Sequence, residues 1–127
     1  MLVVDDDPLN RAMLTMSLGN EGYTVLEAED ARLGLAVLER EVDRIDVVLT
    51  DIEMPEMNGY EFLEARRAQS NSALRAIPFI VISGVDEMAS IIACIKLGAE
   101  DYLPKPFDPV LLHAPLRRVC REEADDR

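Results

Sequence analysis

The stretch VVLTDIEMPEMNG, residues 47–59, decides the fold of this 127-residue chain. Val47, Val48 and Leu49 form a continuous apolar, largely β-branched run, the mark of a strand buried on both faces, as in a parallel sheet covered by helices. The run leads to an acid, Asp51, and Asn58-Gly59 then opens a helix through Tyr60, Leu63 and Arg67. Leu2-Val3-Val4 and Phe79-Ile80-Val81-Ile82 repeat the pattern, and they too stop at polar groups: Asp5 and Asp6 after the first, Ser83 after the second. Tyr23-Thr24-Val25-Leu26 and Tyr102-Leu103 read as weaker, more peripheral strands, the latter followed by Lys105.

Helices fill the intervals. Asp7-Pro8 and Asp108-Pro109 each place an N-cap residue before a proline suited to the first helical position. The first helix is expected from Pro8 to about Leu18, with Leu14 and Leu18 on one face. A second covers Ala31 to about Arg40 with Leu35 and Leu38 inward, the third follows Asn58-Gly59, and the fourth runs from Asp86 to Leu97. Gly98 is a suitable residue just past that helix's end. In the fifth, from Pro109, an interior Pro115 costs on the order of 3 kcal/mol unless the helix kinks. A bend at Ala114 and Pro115 is therefore expected. Five alternations of strand and helix through short connections predict right-handed crossovers and a doubly wound α/β domain.

In such a sheet the ends of successive strands share one edge, so distant residues converge on one pocket. Asp5, Asp6, Asp51, Ser83 and Lys105 would bring together three carboxylates, a hydroxyl and an ammonium. That set suits a divalent cation and a phosphoryl group, not an apolar ligand. Carboxylates gathered without a cation repel one another, which makes a purely structural role for the trio a poor explanation. Asp7 reads instead as the cap of the first helix, and His113 as an ordinary helix residue.

Bulk properties narrow the function classes. The length suits a single domain, and an apolar fraction of 49% supplies one core. Twenty-five acidic against thirteen basic residues give a net charge of −12, which repels nucleic acid. Any action at DNA would need a segment outside this chain. No apolar stretch is long enough to span a bilayer, and Leu2-Val3-Val4 after Met1 lacks the basic flank of a secretory signal, so a cytoplasmic location is expected. Cys94 and Cys120 show neither zinc-ligand nor redox spacing and read as structural thiols.

The segments VVDDDP (Val3–Pro8), LTDIEMPEMNG (Leu49–Gly59), VISG (Val81–Gly84) and GAEDYLPKPF (Gly98–Phe107) together resemble the receiver domain of two-component response regulators. The likeness spans nearly the whole chain, in order and spacing. It implies a flavodoxin-like fold, a five-stranded parallel sheet of order 2-1-3-4-5 flanked by five helices. It further implies phosphorelay signalling: Asp51 is the phosphoacceptor, and Asp5, Asp6, Asp51 and the backbone carbonyl of Glu53 hold Mg²⁺. Ser83 and Lys105 act on the phosphoryl group, Ser83 and Tyr102 form the switch, and Lys105-Pro106 is a cis peptide bond. Taken alone Tyr102 reads as a half-buried strand aromatic, but its place three before Lys105 favours the switch.

The implied partners are a histidine kinase or a histidine phosphotransfer protein, docking near Leu9, Ala12, Met13, Pro106 and Phe107. The face of the fourth helix, fifth strand and fifth helix would meet an output domain or a second copy, and Ile91, Ile92, Ile95 and Leu97 make the fourth helix apolar on more than one side. By the same resemblance Glu53 and Val85 control water access to the acyl phosphate. Two alternatives remain: a Mg²⁺-dependent aspartyl-phosphate phosphatase, which wants an aspartate where Glu53 stands, and a phosphorylation-independent interaction module. A non-enzymatic switch that catalyses only its own phosphorylation and slow dephosphorylation is the favoured expectation. Residues 1–121 would form the receiver, and 122–127 an acidic tail or the start of a linker. That helix-continuing tail favours a receiver taken from a longer chain over a complete single-domain regulator.

Overall fold

The computed structural model describes residues 1–54, 57–83, 88–104 and Leu116. In chain order these residues form β1 (Leu2–Val4), α1 (Pro8–Asn20), β2 (Leu26–Ala28), α2 (Ala31–Arg40), a 3₁₀ turn (Val42–Arg44), β3 (Val48–Asp51), α3 (Gly59–Arg67), α4 (Ser72–Ala76), β4 (Phe79–Ser83), α5 (Met88–Lys96) and β5 (Asp101–Pro104). The strands pair in parallel in the order β2-β1-β3-β4-β5, as the expected doubly wound fold requires.

The apolar runs work as two-sided strands. Leu2, Val4, Val48, Phe79 and Val81 point to one face of the sheet, where they pack with Ala31, Leu38, Phe62, Leu63, Ile91 and Cys94 from α2, α3 and α5. Val3, Leu49, Ile80 and Ile82 point to the other face and meet Leu14 and Leu18 of α1, together with Leu116. This alternation follows from the period of two in strand side chains, and with both faces covered it leaves no polar position inside the runs.

Caps fix where the helices start. Asp7 accepts from the Leu9 N–H, Asp30 from Leu33 and Asn71 from Ala73, while Asn58 and Glu61 form a reciprocal capping box at α3. Asp7 is thus the helix cap that the sequence suggested.

Several expectations need correction. The second strand is Leu26–Ala28, not Tyr23–Leu26, because pairing with β1 sets its register: Leu2 opposes Leu26 and Val4 opposes Ala28. Tyr23 and Val25 pack on the second core as an irregular lead-in. Helix α1, by contrast, ends at Asn20, within the expected stop near Gly19 to Gly22, at a turn in which Gly22 has φ 95°. The inward stripe of α2 is Ala31, Gly34 and Leu38, with Leu35 only partly buried at its side. Helix α4 was not foreseen, since five residues are too few to show a period, though it seats Leu74 in the first core. The helix read from Asp86 is therefore α5, described from Met88 onward, and Gly98 follows it with φ 103° as expected of a C-terminal glycine. The bend at Ala114 and Pro115, the Lys105-Pro106 bond, His113, Cys120 and the 122–127 tail lie outside the described residues.

One charge enters the first core. Arg66 of α3 is 6% exposed, donates to the Ile77 carbonyl and lies over the Phe79 ring at 4.7 Å from its centroid. Burial pushes its pKa down and Glu100 pushes it up, and an arginine retains its charge under both influences. No helix among the described residues is long and apolar enough to cross a membrane.

Two glycines should respond oppositely to alanine. A Cβ at Gly34 would lie 2.9 Å from Val4 Cγ2 and 3.0 Å from Phe62 Cζ, both fully buried, whereas at Gly19 it would meet nothing within 4 Å. Urea denaturation should show Gly34→Ala losing roughly 1–2 kcal/mol net of its helix-propensity gain and Gly19→Ala gaining about 0.4–1 kcal/mol.

Candidate functional site

Three acids meet at the carboxyl edge of the sheet. Just past β1, Asp5 continues the ladder through its N–H to the Ala28 carbonyl, at 3.2 Å, and is 2% exposed. Its Oδ1 accepts the Asp7 N–H at 2.9 Å, so the turn into α1 orients this carboxylate. Asp6, between them, is exposed. Asp51 closes β3 at 4% exposure, and its Oδ1 accepts the Glu53 N–H at 3.2 Å. One oxygen from each of Asp5, Asp6 and Asp51 lies within 4.8 Å of the others.

The ladder between β3 and β4 brings the hydroxyl to the same edge. Asp51 opposes Ile82, the Ile52 N–H donates to the Ile82 carbonyl at 3.0 Å, and Ser83 follows as the last residue of β4. Ser83 is fully buried, and its Oγ has no hydrogen-bond partner among the described residues. A hydroxyl at this edge can donate a hydrogen bond to an acceptor that arrives there. Tyr102 opposes Val81 on β5 and is 37% exposed. Lys105, Pro106, Phe107 and Val85 lie outside the described residues.

The donor set fits a hard divalent cation. Mg²⁺ takes oxygen ligands at about 2.0–2.1 Å, and the three carboxylate oxygens here lie within 4.8 Å of one another. The cluster is thus close to the required size, with room for one carboxylate to act through water. Mutual repulsion among three carboxylates, two of them buried, gives a cation a strong reason to bind. Glu53 has an exposed side chain, in keeping with a role confined to its backbone.

Two supports went unread in the sequence. Arg11, one turn into α1, donates from Nη1 to the Asp5 carbonyl at 2.7 Å and from Nε to Glu27 Oε1 at 3.2 Å. Its signal was only its place four residues after the Asp7 cap. Gly59 donates to the Ile52 carbonyl at 2.7 Å, and a Cβ there would fall 2.7 Å from the Asp51 carbonyl oxygen and 2.8 Å from Ile52 Cα. The glycine lets the start of α3 rest against the backbone that carries Asp51.

Comparison with known proteins agrees with this arrangement. A family model described as the response regulator receiver domain matches residues 1–117. The chain is 36% identical over 126 residues to the response regulator MprA of Mycolicibacterium vanbaalenii, covering 99% of this chain and 52% of that protein. It is similar to the crystal structure of a response regulator receiver domain protein from Clostridium thermocellum, with a TM-score of 0.90 and 25% identity over 99% of this chain and 97% of the other. For the chemotaxis protein CheY4 of Vibrio cholerae the TM-score is 0.83 and the identity 35%, covering 93% and 95%. The chain spans about half the length of the curated relatives it matches, 45%, 48% and 52% for three of them.

Because backbone atoms cannot yield as a flexible side chain can, Gly59→Ala should cost roughly 1–3 kcal/mol and shift the Asp51 and Ile52 amide resonances. Wild-type stability with unmoved resonances would contradict this packing.

Proposed function

This chain belongs to the response regulator receiver domain family, and from that premise we propose that it is a signalling switch set by phosphorylation of Asp51. The observation that carries the reading is the convergence of Asp5, Asp6 and Asp51 at the sheet edge where the buried Ser83 ends the neighbouring strand.

An Asp51 oxygen attacks the phosphorus of a phosphohistidine in line. The new bond is O–P, the P–N bond breaks, and the imidazole nitrogen retains the electron pair and takes up a proton. A carboxylate is a weak nucleophile facing a negatively charged group, so positioning and charge neutralisation must do most of the catalysis. Mg²⁺, held by Asp5, Asp6, Asp51 and the Glu53 carbonyl, supplies part of that neutralisation when bound. Lys105 neutralises a second phosphoryl oxygen and Ser83 donates a hydrogen bond to a third. Drawing Ser83 toward the phosphoryl group vacates space into which the half-exposed Tyr102 turns, biasing a two-state equilibrium. The chemistry is that of a switch acting on itself, with slow hydrolysis governed by groups such as Glu53 and Val85.

The donor is a histidine kinase or a histidine phosphotransfer protein. Leu9 is 68% and Met13 49% exposed on α1, which supports docking there together with Ala12, Pro106 and Phe107. Ile92 and Ile95 of α5 are exposed, as is Tyr102 of β5, and they support an output or dimer surface across α5, β5 and the helix expected after them. Several relatives named as transcriptional regulators are about twice as long as the match, so a nucleic-acid contact would belong to a further domain and not to this acidic one. On this reading residues 1–121 make the receiver, 122–127 a tail or linker, and the protein works in the cytoplasm.

Incubation with Mg²⁺ and acetyl phosphate should add one phosphoryl group by intact mass, and Asp51→Asn should abolish the gain. Continuous phosphate release at enzymatic rates would point to a phosphatase, and no modification would point to a phosphorylation-independent module. Mg²⁺ should also raise the melting temperature, by the equivalent of about 2.7 kcal/mol at a hundredfold excess over Kd. A flat response at millimolar Mg²⁺ would contradict the cation site.

A further inference from the structure

Three polar groups of Asp5 are held, one by β2 and two by the cap and first turn of α1. Its N–H donates to the Ala28 carbonyl of β2, its Oδ1 accepts the Asp7 N–H at the mouth of α1, and its carbonyl oxygen accepts Arg11 Nη1 at 2.7 Å. The same guanidinium reaches Glu27 of β2 through Nε at 3.2 Å. Arg11 therefore ties α1, the Asp5–Asp7 turn and β2 together beside one member of the acid cluster. Its side chain is only 18% exposed against 42% for Glu27, so the bond to the carbonyl is the better shielded of the two.

We propose that Arg11 is the positioning residue of the acidic pair, clamping the Asp5 carbonyl to β2 through Glu27 so that the Asp5 and Asp6 carboxylates face Asp51. This rests on the pocket being a Mg²⁺ site, as argued above. Three carboxylates within 4.8 Å push the turn open, and its three residues have few bonds with which to resist. A charge-assisted bond to a carbonyl is among the stronger single restraints available. The arrangement calls for arginine in particular: two acceptors on different elements are met by two N–H groups of one planar fork, which a lysine ammonium cannot reproduce.

A simpler role, that of a counter-ion softening acid repulsion, predicts the opposite sign. Removing a counter-ion would tighten cation binding, because the cation would face more uncompensated negative charge, and lysine would substitute for arginine. Positioning predicts weaker binding without Arg11 and poor rescue by lysine. The pairing with Glu27 already neutralises most of the guanidinium's field, which leaves placement as the larger effect.

The test titrates the full chain with Mn²⁺ by electron paramagnetic resonance and with Mg²⁺ by calorimetry, for wild type, Arg11→Ala, Arg11→Lys and Glu27→Gln, alongside metal-free melting. Arg11→Ala should weaken cation affinity on the order of tenfold, Arg11→Lys should recover little of it, and Glu27→Gln should fall between. With acetyl phosphate, the Mg²⁺ concentration for half-maximal phosphorylation should rise while the rate at saturating Mg²⁺ stays near wild type. Should Arg11→Ala fail to fold, the other two variants carry the same comparison. Unchanged or tighter binding in Arg11→Lys, or a lower melting temperature with unaltered affinity, would overturn the proposal. A wild-type chain that binds neither cation would instead overturn the pocket reading on which it rests, and that result is visible before any variant is made.

Discussion

The register of the central strands is the constraint on which the rest depends. β1, β3 and β4 are buried on both faces, so their backbone ladder alone fixes where each ends, and sliding any of them by one residue would exchange its two sets of side chains between the cores. Leu2 opposite Val48 and Asp51 opposite Ile82 are thus packing decisions with a chemical outcome. They put an acid after β1, an acid ending β3 and, one residue further along, a hydroxyl ending β4 on one edge of the sheet. The pocket inherits its precision from apolar residues that never touch it.

That dependence explains what could be read from the sequence. Val47–Leu49, Leu2–Val4 and Phe79–Ile82 announce themselves because burial on both faces demands unbroken apolar runs, and the polar residues after them mark the shared edge. The acid trio was legible for the same reason. β2 was placed two to three residues early because an edge strand of three residues, with only Ala28 buried, carries no run of its own and borrows its register from β1. Arg11 went unread, and Gly59 was read only as part of a helix start, because their work is done on the backbone of other elements, the Asp5 carbonyl and the Asp51–Ile52 peptide, and no side-chain pattern records such a contact.

The site also runs against the economy of the fold. Asp5, Asp51 and Ser83 put two carboxylates and a hydroxyl inside the protein, and taking such groups from water costs free energy that the two cores must offset. Such cost is expected at a site that is to hold a charged ligand. Arg66 is a buried charge elsewhere: its Nη1 reaches the Ile77 carbonyl and its guanidinium an aromatic face, while its Nε has no partner among the described residues.

The two outermost strands carry a different consequence. β2 is three residues long with a charged Glu27 at its centre, and β5 begins with Asp101 and ends with Pro104, which has no N–H to donate. Short, charged or proline-bearing edges are poor templates for adding another strand. Association by β-augmentation, and the amyloid-like stacking that an open edge invites, are therefore both disfavoured. Encounters with other proteins are directed to the helical faces, where recognition is written in side chains and can be remade by substitution without disturbing the sheet.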